Sequence, residues 1–293
     1  MITRGLITRR GLLGLAIGAA LAAEAHAARG GSALRAIHKR IGGRMGVHIL
    51  DTQSGRRISF DDDSRYAMAS TFKVPLVASL LWQVDHGAFP LTHALPIDRK
   101  DLVAHSPILE KAIQTGVTAL AVRDLCGAAV SFSDNTAANI LLNGMGGPAA
   151  LTRFMRSIGD EVTRLDRIEP EVNSNTPGDE RDTTTPRAMV ESMLRIFTQD
   201  VLSLASRALL IEWMMSARNG TDRVRKGLPR AWQTGDKPGT GENNAFNDLV
   251  ITWPPQRRPI LAAVYMSESR LDAAQLAAAQ AEIGEMIGKE KWR

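Results

Sequence analysis

The chain has 293 residues, of which 44% are hydrophobic and 23% charged, which suits one large soluble domain or two lobes that share a core. Its formal net charge is +5, but the charges are interleaved without a basic block, which excludes a nucleic-acid-binding signature. Cys126 is the sole cysteine and the six histidines lack ligand spacing, so we predict no internal disulfide and no metal site.

The first 27 residues predict an export signal. Arg9-Arg10 precede an apolar run over 11–23, and Ala25-His26-Ala27 forms a small-residue cleavage site. The paired arginines favour the twin-arginine type, with an ordinary secretory signal as the alternative. Because about 20 apolar residues are needed to span a bilayer, we expect cleavage after residue 27 and no membrane attachment afterwards. The mature protein is then periplasmic or secreted.

Further along the chain, strand patterns occur at both ends and helical patterns in the middle. The predicted strands cover 46–50, 57–60, 231–234, 248–253 and 260–266. The predicted helices cover 32–41, 70–83, 122–130, 136–142, 148–157, 186–197, 203–216 and 272–287. Residues 165–185 are polar and aperiodic, which is typical of a long functional loop.

This order of elements predicts an α/β fold of the α+β kind with two lobes. Both ends of the chain, 28–63 and 217–293, should form one mostly antiparallel sheet with flanking helices. Residues 64–216 should form an all-helical lobe that includes the loop 164–182. A cleft between two lobes is a usual place for a binding site.

The segment Ser70-Thr71-Phe72-Lys73 predicts chemistry at the start of the first middle helix. A serine and a lysine three residues apart lie on one helix face. A serine hydroxyl is a weak nucleophile until a nearby base accepts its proton, and an amine one turn away can assist. The alternative interpretation is an N-capping serine followed by a solvated lysine, so the pattern needs further partners.

Three later motifs supply such partners. Ser133-Asp134-Asn135 lies between two predicted helices, where a hydroxyl and an amide can face a pocket while the aspartate caps the next helix. Glu169-Pro170-Glu171-Val172-Asn173 lies in the long loop. Asp236-Lys237-Pro238-Gly239-Thr240-Gly241 follows a predicted strand. Taken singly, the first is compatible with a plain helix cap and the third with a charged turn.

In this order the motifs resemble the S-x-x-K, S-D-N and K-T-G set of the class A serine β-lactamases, along nearly all of the mature chain. Segments 101–103, 106–107, 133–142, 164–167 and 181–186 also agree. The resemblance implies the two-lobed fold shared by serine β-lactamases and penicillin-binding proteins. It also implies hydrolysis of the β-lactam ring of penicillins and cephalosporins, which gives antibiotic resistance. The export signal and His105 are most similar to inducible enzymes of environmental Gram-negative bacteria.

The resemblance implies a role for each catalytic residue. Ser70 would attack the lactam carbonyl, and the backbone N–H groups of Ser70 and Thr240 would form the oxyanion hole. Lys73 and Glu169 are both candidates for the base of acylation. Ser133 would pass a proton to the departing lactam nitrogen, and Glu169 would activate the water that hydrolyses the acyl-enzyme.

The resemblance also implies a substrate-binding set and a loop-stabilising pair. The substrate-binding residues would be Asn135, Asn173, Lys237, Gly239, Thr240, Arg223 and His105. Arg223 would help to bind the substrate carboxylate, with Arg225 as the alternative. Arg167 and Asp182 match the pair that pins the loop by a salt bridge. The expected partner is a small-molecule β-lactam, without cofactor, and the family precedent indicates a monomer.

Pro238 departs from the family pattern, which has a threonine or serine whose hydroxyl helps to hold the substrate carboxylate. The N–H of Thr240 would point into the pocket, away from the neighbouring strand. Because N–H directions along a strand repeat every two residues, position 238 also points its backbone nitrogen away from that strand. Proline is tolerated on such an open edge. We therefore expect an intact strand and a weaker carboxylate contact.

Two other functions share part of this pattern. A D-alanyl-D-alanine peptidase or transpeptidase uses a similar serine and lysine, and a penicillin-binding sensor stays acylated after its first reaction. Glu169 and Asn173 favour a hydrolase over both, because they supply a base and a partner for the water that breaks the acyl-enzyme.

Overall fold

The computed structural model of the protein describes residues 30–290 and Trp292. The predicted export signal, 1–27, therefore lies outside the described residues. Across the described part of the chain, no helix is both long enough and apolar enough to cross a membrane.

One five-stranded sheet and two short ladders contain the strands. These are β1 (Arg44–Asp51), β2 (Arg57–Phe60), β3 (Tyr66–Ala67), β4 (Ala94–Pro96), β5 (Ala119–Ala121), β6 (Thr183–Thr184), β7 (Gln233–Thr240), β8 (Phe246–Trp253) and β9 (Ile260–Ser267). The large sheet has the order β2-β1-β9-β8-β7, and each neighbouring pair is antiparallel. The predicted antiparallel sheet from both ends of the chain is confirmed.

Helices cover both faces of this sheet. The helices of the described residues, including those that pack on other helices, are α1 (30–41), α2 (Lys73–Asp85), α3 (Pro107–Gln114), α4 (Val122–Ser131), α5 (Asn135–Gly144), α6 (Pro148–Ser157), α7 (Pro186–Thr198), α8 (Leu204–Met215), α9 (Val224–Gly227) and α10 (Ala273–Lys289). Local chemistry sets several of their starts. The Asp134 side chain accepts from the Ala137 N–H at the start of α5, and Asp272 and Gln275 form a capping box on α10.

The sheet separates two hydrophobic cores. Along β8, Leu249 and Ile251 pack into the core shared with the middle helices, whereas Val250 packs into the core shared with α1, α9 and α10. Because both faces are covered, this strand is apolar at successive positions instead of alternating with polar residues.

The lobe predicted to be all helical, 64–216, is mainly helical but also contains both short ladders. β3 pairs with β6, and β4 pairs with β5. Strands of two or three residues produce no periodic pattern, which is why the sequence did not indicate them. The long loop also contains a 3-10 turn at Glu171–Asn173. The proposed division between the lobes stays a prediction.

Candidate active site

Ser70 lies in a tight turn that the edge strand of the sheet crosses. The turn, Ala69–Phe72, is a 3-10 helix, and α2 continues directly from it. At Gly239 of β7, a Cβ atom would lie only 2.9 Å from the carbonyl oxygen of Met68. A side chain at 239 would therefore push β7 away from the turn that carries Ser70.

The Lys73 ammonium group lies at the centre of the site and is fully buried. Its Nζ is 3.0 Å from Ser70 Oγ and 2.5 Å from Asn135 Oδ1. It is also 2.9 Å from the Ser133 carbonyl oxygen and 2.9 Å from Glu169 Oε1. Burial lowers the pKa of Lys73, and the Glu169 carboxylate opposes that shift. The amine is therefore easier to deprotonate than a solvated lysine.

Glu169 is held through both its backbone and its side chain. The side-chain amide of Asn139 in α5 accepts from the Glu169 N–H and donates to the Glu169 carbonyl oxygen, each at 2.8 Å. Asn173 donates from Nδ2 to Glu169 Oε2. One carboxylate oxygen thus faces Lys73 and the other faces Asn173, so the loop brings together the two residues predicted from its sequence.

A second buried ammonium group, on Lys237 of β7, faces Ser133. Lys237 Nζ donates to Ser133 Oγ at 3.0 Å and to the Pro238 carbonyl oxygen at 2.9 Å. Ser133 Oγ is also 3.3 Å from Lys73 Nζ. Burial, followed by the positive charges of Lys73 and Arg223, holds the pKa of Lys237 well below its usual range. The Ser133 hydroxyl can therefore exchange a proton with either lysine.

Pro238 does not interrupt β7. The strand runs without a break over Gln233–Thr240 and pairs with β8 alone, because it forms the edge of the sheet. The expectation of an intact strand is confirmed. Pro238 presents a ring to the cleft where a threonine would present a hydroxyl.

Arg223 reaches the same strand from the residue before α9. Its Nη1 donates to the carbonyl oxygens of Gly239 at 2.9 Å and Asn247 at 2.7 Å, and its Nη2 donates to Thr240 Oγ1 at 2.7 Å. The guanidinium carbon lies 3.7 Å from the centroid of the Phe246 ring. Burial lowers the pKa of Arg223. These contacts place a fixed cation beside the end of β7.

Arg225, the alternative cation, pairs with the buried Asp236 and donates to the carbonyl oxygen of Met214 at 3.1 Å. Burial raises the pKa of Asp236 to about 6, and the charge of Arg225 opposes that shift. Arg223 lines the cleft and Arg225 does not. The geometry therefore favours Arg223 as the arginine that meets a ligand.

These groups surround a cleft of about 620 Å³, which is within the range of small-molecule sites. It is lined by Ser70, His105, Ser133, Asn135, Asn173, Asn219, Arg223, Pro238, Thr240, Gly241 and Glu242. His105 is exposed at the rim. Sequence reasoning missed Asn219 and Glu242, which lie in turns after α8 and after β7. Nothing in their spacing distinguishes them from ordinary turn residues.

The carboxylate of Asp182 joins the two ends of the loop that carries Glu169. Asp182 is fully buried, and its Oδ1 accepts from the N–H groups of Asp166 at 2.7 Å and Arg167 at 2.9 Å. Its Oδ2 accepts from Arg167 Nε. The predicted pairing of Arg167 with Asp182 is therefore present in the structure.

Among residues 30–290 and Trp292, no group of three or more histidine, cysteine, aspartate or glutamate side chains could hold a metal ion. The predictions of no metal and no cofactor stay predictions.

The sequence of this chain is similar to those of known proteins. The family model described as "Beta-lactamase enzyme family" matches residues 31–290. The curated protein Beta-lactamase L2 of Stenotrophomonas maltophilia is 41% identical over 255 residues, covering 87% of this chain and 83% of that protein. Beta-lactamase OXY-2 of Klebsiella oxytoca is 40% identical over 237 residues, covering 81% of each.

Solved structures show the same likeness. An ancestral class A β-lactamase is 48% identical with a TM-score of 0.86, covering 88% of this chain and 98% of that chain. A β-lactamase from Xanthomonas campestris is 41% identical with a TM-score of 0.85, covering 88% of this chain and 95% of that chain.

Arg167→Ala should destabilise the loop that carries Glu169, because it leaves the buried Asp182 carboxylate without its cation. Breaking such a pair costs about 3 kcal/mol of unfolding free energy. Denaturant unfolding measures this loss, and amide hydrogen exchange over 167–182 should become faster.

Arg181→Ala is the matched control, because Arg181 pairs with Asp179 while 56% exposed. Its effect on the free energy of unfolding should be clearly smaller, because exposed ion pairs contribute little, and equal losses in the two variants would contradict the pinning role.

Proposed function

Since the chain belongs to the class A serine β-lactamases, enzymes that hydrolyse β-lactams, we propose that it opens the ring of penicillins and cephalosporins through an acyl-enzyme on Ser70. The observation that carries this proposal is the contact of one buried ammonium group, Lys73, with both Ser70 and Glu169. It connects the nucleophile with the base that the second half-reaction needs.

In the first half-reaction, Ser70 Oγ attacks the lactam carbonyl carbon, an ester forms and the lactam C–N bond breaks. Two bases could take the Ser70 proton. Lys73 is supported by its 3.0 Å distance to Ser70 Oγ and its lowered pKa, and Glu169 is supported by its contact with Lys73. Both stay open as the base of acylation. The backbone N–H groups of Ser70 and Thr240 serve as the oxyanion hole.

The departing lactam nitrogen receives its proton from Ser133. The support for this step is that Ser133 Oγ lies within 3.3 Å of Lys73 Nζ and 3.0 Å of Lys237 Nζ. The proton lost by Ser70 can return through Lys73 and Ser133 to the nitrogen, so the first half-reaction needs no other acid.

In the second half-reaction, water adds to the ester carbonyl, and Glu169 is the base that accepts its proton. Asn173 orients this water as well as the carboxylate, which is consistent with its hydrogen bond to Glu169 Oε2. The ester C–O bond then breaks, Ser70 regains a proton, and the product leaves as a ring-opened acid.

Substrate binding depends on charge at one end of the cleft. The carboxylate beside the lactam is attracted by Lys237 and Arg223 and accepts from the Thr240 hydroxyl. Thr240 Oγ1 already accepts from Arg223, which leaves the hydroxyl hydrogen free to be donated. Asn135 binds the side-chain amide of the substrate, and His105 stacks on it at the rim.

Other parts of the proposal concern the setting of the enzyme. The export signal over 1–27 would deliver a monomer to the periplasm or the medium, where it meets β-lactams and gives resistance. A cell-wall D-alanyl-D-alanine peptidase and a non-hydrolysing sensor are the competing functions. The position of Glu169 beside Lys73 disfavours both.

The mature protein should turn over a chromogenic cephalosporin, as measured by absorbance at substrate in large excess. Ser70→Ala, the control, should release no product. A burst equal to the enzyme concentration without further turnover would overturn the hydrolase and support the sensor.

Glu169→Ala should convert turnover into a trapped acyl-enzyme, because deacylation loses its base whereas acylation keeps one of its two candidate bases, Lys73. Intact-mass spectrometry should show the added mass of the substrate, located on the peptide with Ser70. Deacylation at the parental rate would refute the role of Glu169.

Lys237→Arg should extend activity to higher pH. The lowered pKa of Lys237 means that the parent loses this cation as pH rises, at a pH below that of a free lysine, whereas a guanidinium stays charged. The pH profile of kcat/KM for a carboxylate-bearing penicillin should therefore fall at higher pH in the variant than in the parent. If kcat/KM decreases at the same high pH in the variant and the parent, the decrease is caused by the titration of another group.

Pro238→Thr should lower the apparent KM for penicillins by about threefold to tenfold, because it restores a hydroxyl for the carboxylate. The comparison substrate is the same penicillin with its carboxylate esterified, for which KM should not improve. No change for the free acid would mean that the proline is neutral.

A further inference from the structure

The substitution of proline at 238 raises the question of which group bonds the carboxylate in place of the missing hydroxyl. This question rests on the proposed function, because only an anionic substrate needs that bond. Arg223 contacts Thr240, which lies two residues after Pro238 on β7. Both donors are therefore displaced from position 238, and neither takes the place of a hydroxyl there.

The turn after α8 packs directly against the proline ring. A Cβ atom on Gly220 would lie 2.8 Å from both Cβ and Cγ of Pro238, and Gly220 has a φ of +79°. Both facts require glycine there. The Gly220 carbonyl oxygen also accepts from the Arg223 N–H at 2.9 Å. The turn is therefore held between Pro238 and Arg223, and its preceding residue, Asn219, lies on the wall of the cleft.

The Asn219 side chain is half-buried, and its Nδ2 donates to the carbonyl oxygen of Phe132 at 3.3 Å. Phe132 immediately precedes Ser133, whose hydroxyl accepts from Lys237. The amide nitrogen carries two hydrogens, and the contacts within the described chain use one of them. A neutral donor thus lies next to Ser133 and next to the turn that contacts Pro238.

We propose that Asn219 determines affinity for the substrate carboxylate, by donating its second amide hydrogen to that group in place of the hydroxyl that Pro238 lacks. Asn219 and Lys237 bond adjacent residues, Asn219 the Phe132 carbonyl and Lys237 the Ser133 hydroxyl, so the carboxylate would receive one neutral and one charged donor at this end of the cleft. Substitutions of Asn219 and Pro238 should therefore be coupled: the effect of one on substrate binding depends on which residue occupies the other position.

A double-mutant cycle with Asn219→Leu and Pro238→Thr tests this dependence. Leucine keeps the branched shape of the asparagine side chain and removes both donor hydrogens. In the parent, Asn219→Leu should lower kcat/KM for a chromogenic cephalosporin about tenfold; together with Pro238→Thr, it should cost less than about threefold. The methyl ester of the same cephalosporin should show less than about a twofold change in either background.

Three results would overturn the inference: equal losses of kcat/KM in the two backgrounds, equal losses for acid and ester, or no loss in the parent.

If the parent shows no turnover, the proposed function fails, but the inference can still be tested. The dissociation constant of the intact cephalosporin for Ser70→Ala protein, with and without Asn219→Leu, should then differ about tenfold. An unchanged dissociation constant would refute the role of Asn219.

Discussion

Two lysine ammonium groups, Lys73 and Lys237, are fully buried within reach of one serine hydroxyl, and much of the site compensates for the cost of burying them. A buried cation needs an anion and hydrogen-bond acceptors to replace water. Lys73 has Glu169 and Asn135; Lys237 has the Ser133 hydroxyl and its neighbouring carbonyl. Burial lowers the pKa of both amines, so each gives up a proton more readily than a solvated lysine, which suits proton transfer during acyl transfer.

This arrangement requires the edge strand to lie close to the turn that carries Ser70. Glycine at 239 permits that approach, and the open edge of the sheet permits proline at 238. Because no further strand in the described part of the chain pairs with this edge, the cleft beside it has room for a ligand. Since the strand has no sheet partner on that side, its position depends on packing against the Ser70 turn and on the guanidinium of Arg223.

The long loop carries Glu169, the proposed base of deacylation. Its irregular backbone is ordered by side chains instead of by a helix or a ladder: Asn139 bonds the backbone of Glu169, and Asp182 bonds two N–H groups at the start of the loop. Buried polar groups that are fully bonded in this way specify one conformation. The backbone of Glu169 is therefore positioned by polar contacts with another segment, and its side chain by Lys73 and Asn173.

The sequence by itself indicated the longer helices, the antiparallel sheet and the expected chemistry, because these depend on local periodicity and on motifs such as Ser70 to Lys73; it did not indicate α3 or α9. It also indicated that Pro238 could be accommodated, since N–H direction in a strand is a local property. Contacts between distant segments were decided by tertiary structure alone. The two short ladders, the choice of Arg223 over Arg225 and the presence of Asn219 in the cleft depend on which surfaces pack together. A single residue in a turn carries no periodic signal; Asn219 reaches the site because Gly220 packs against Pro238 and because its own amide donates to the Phe132 carbonyl.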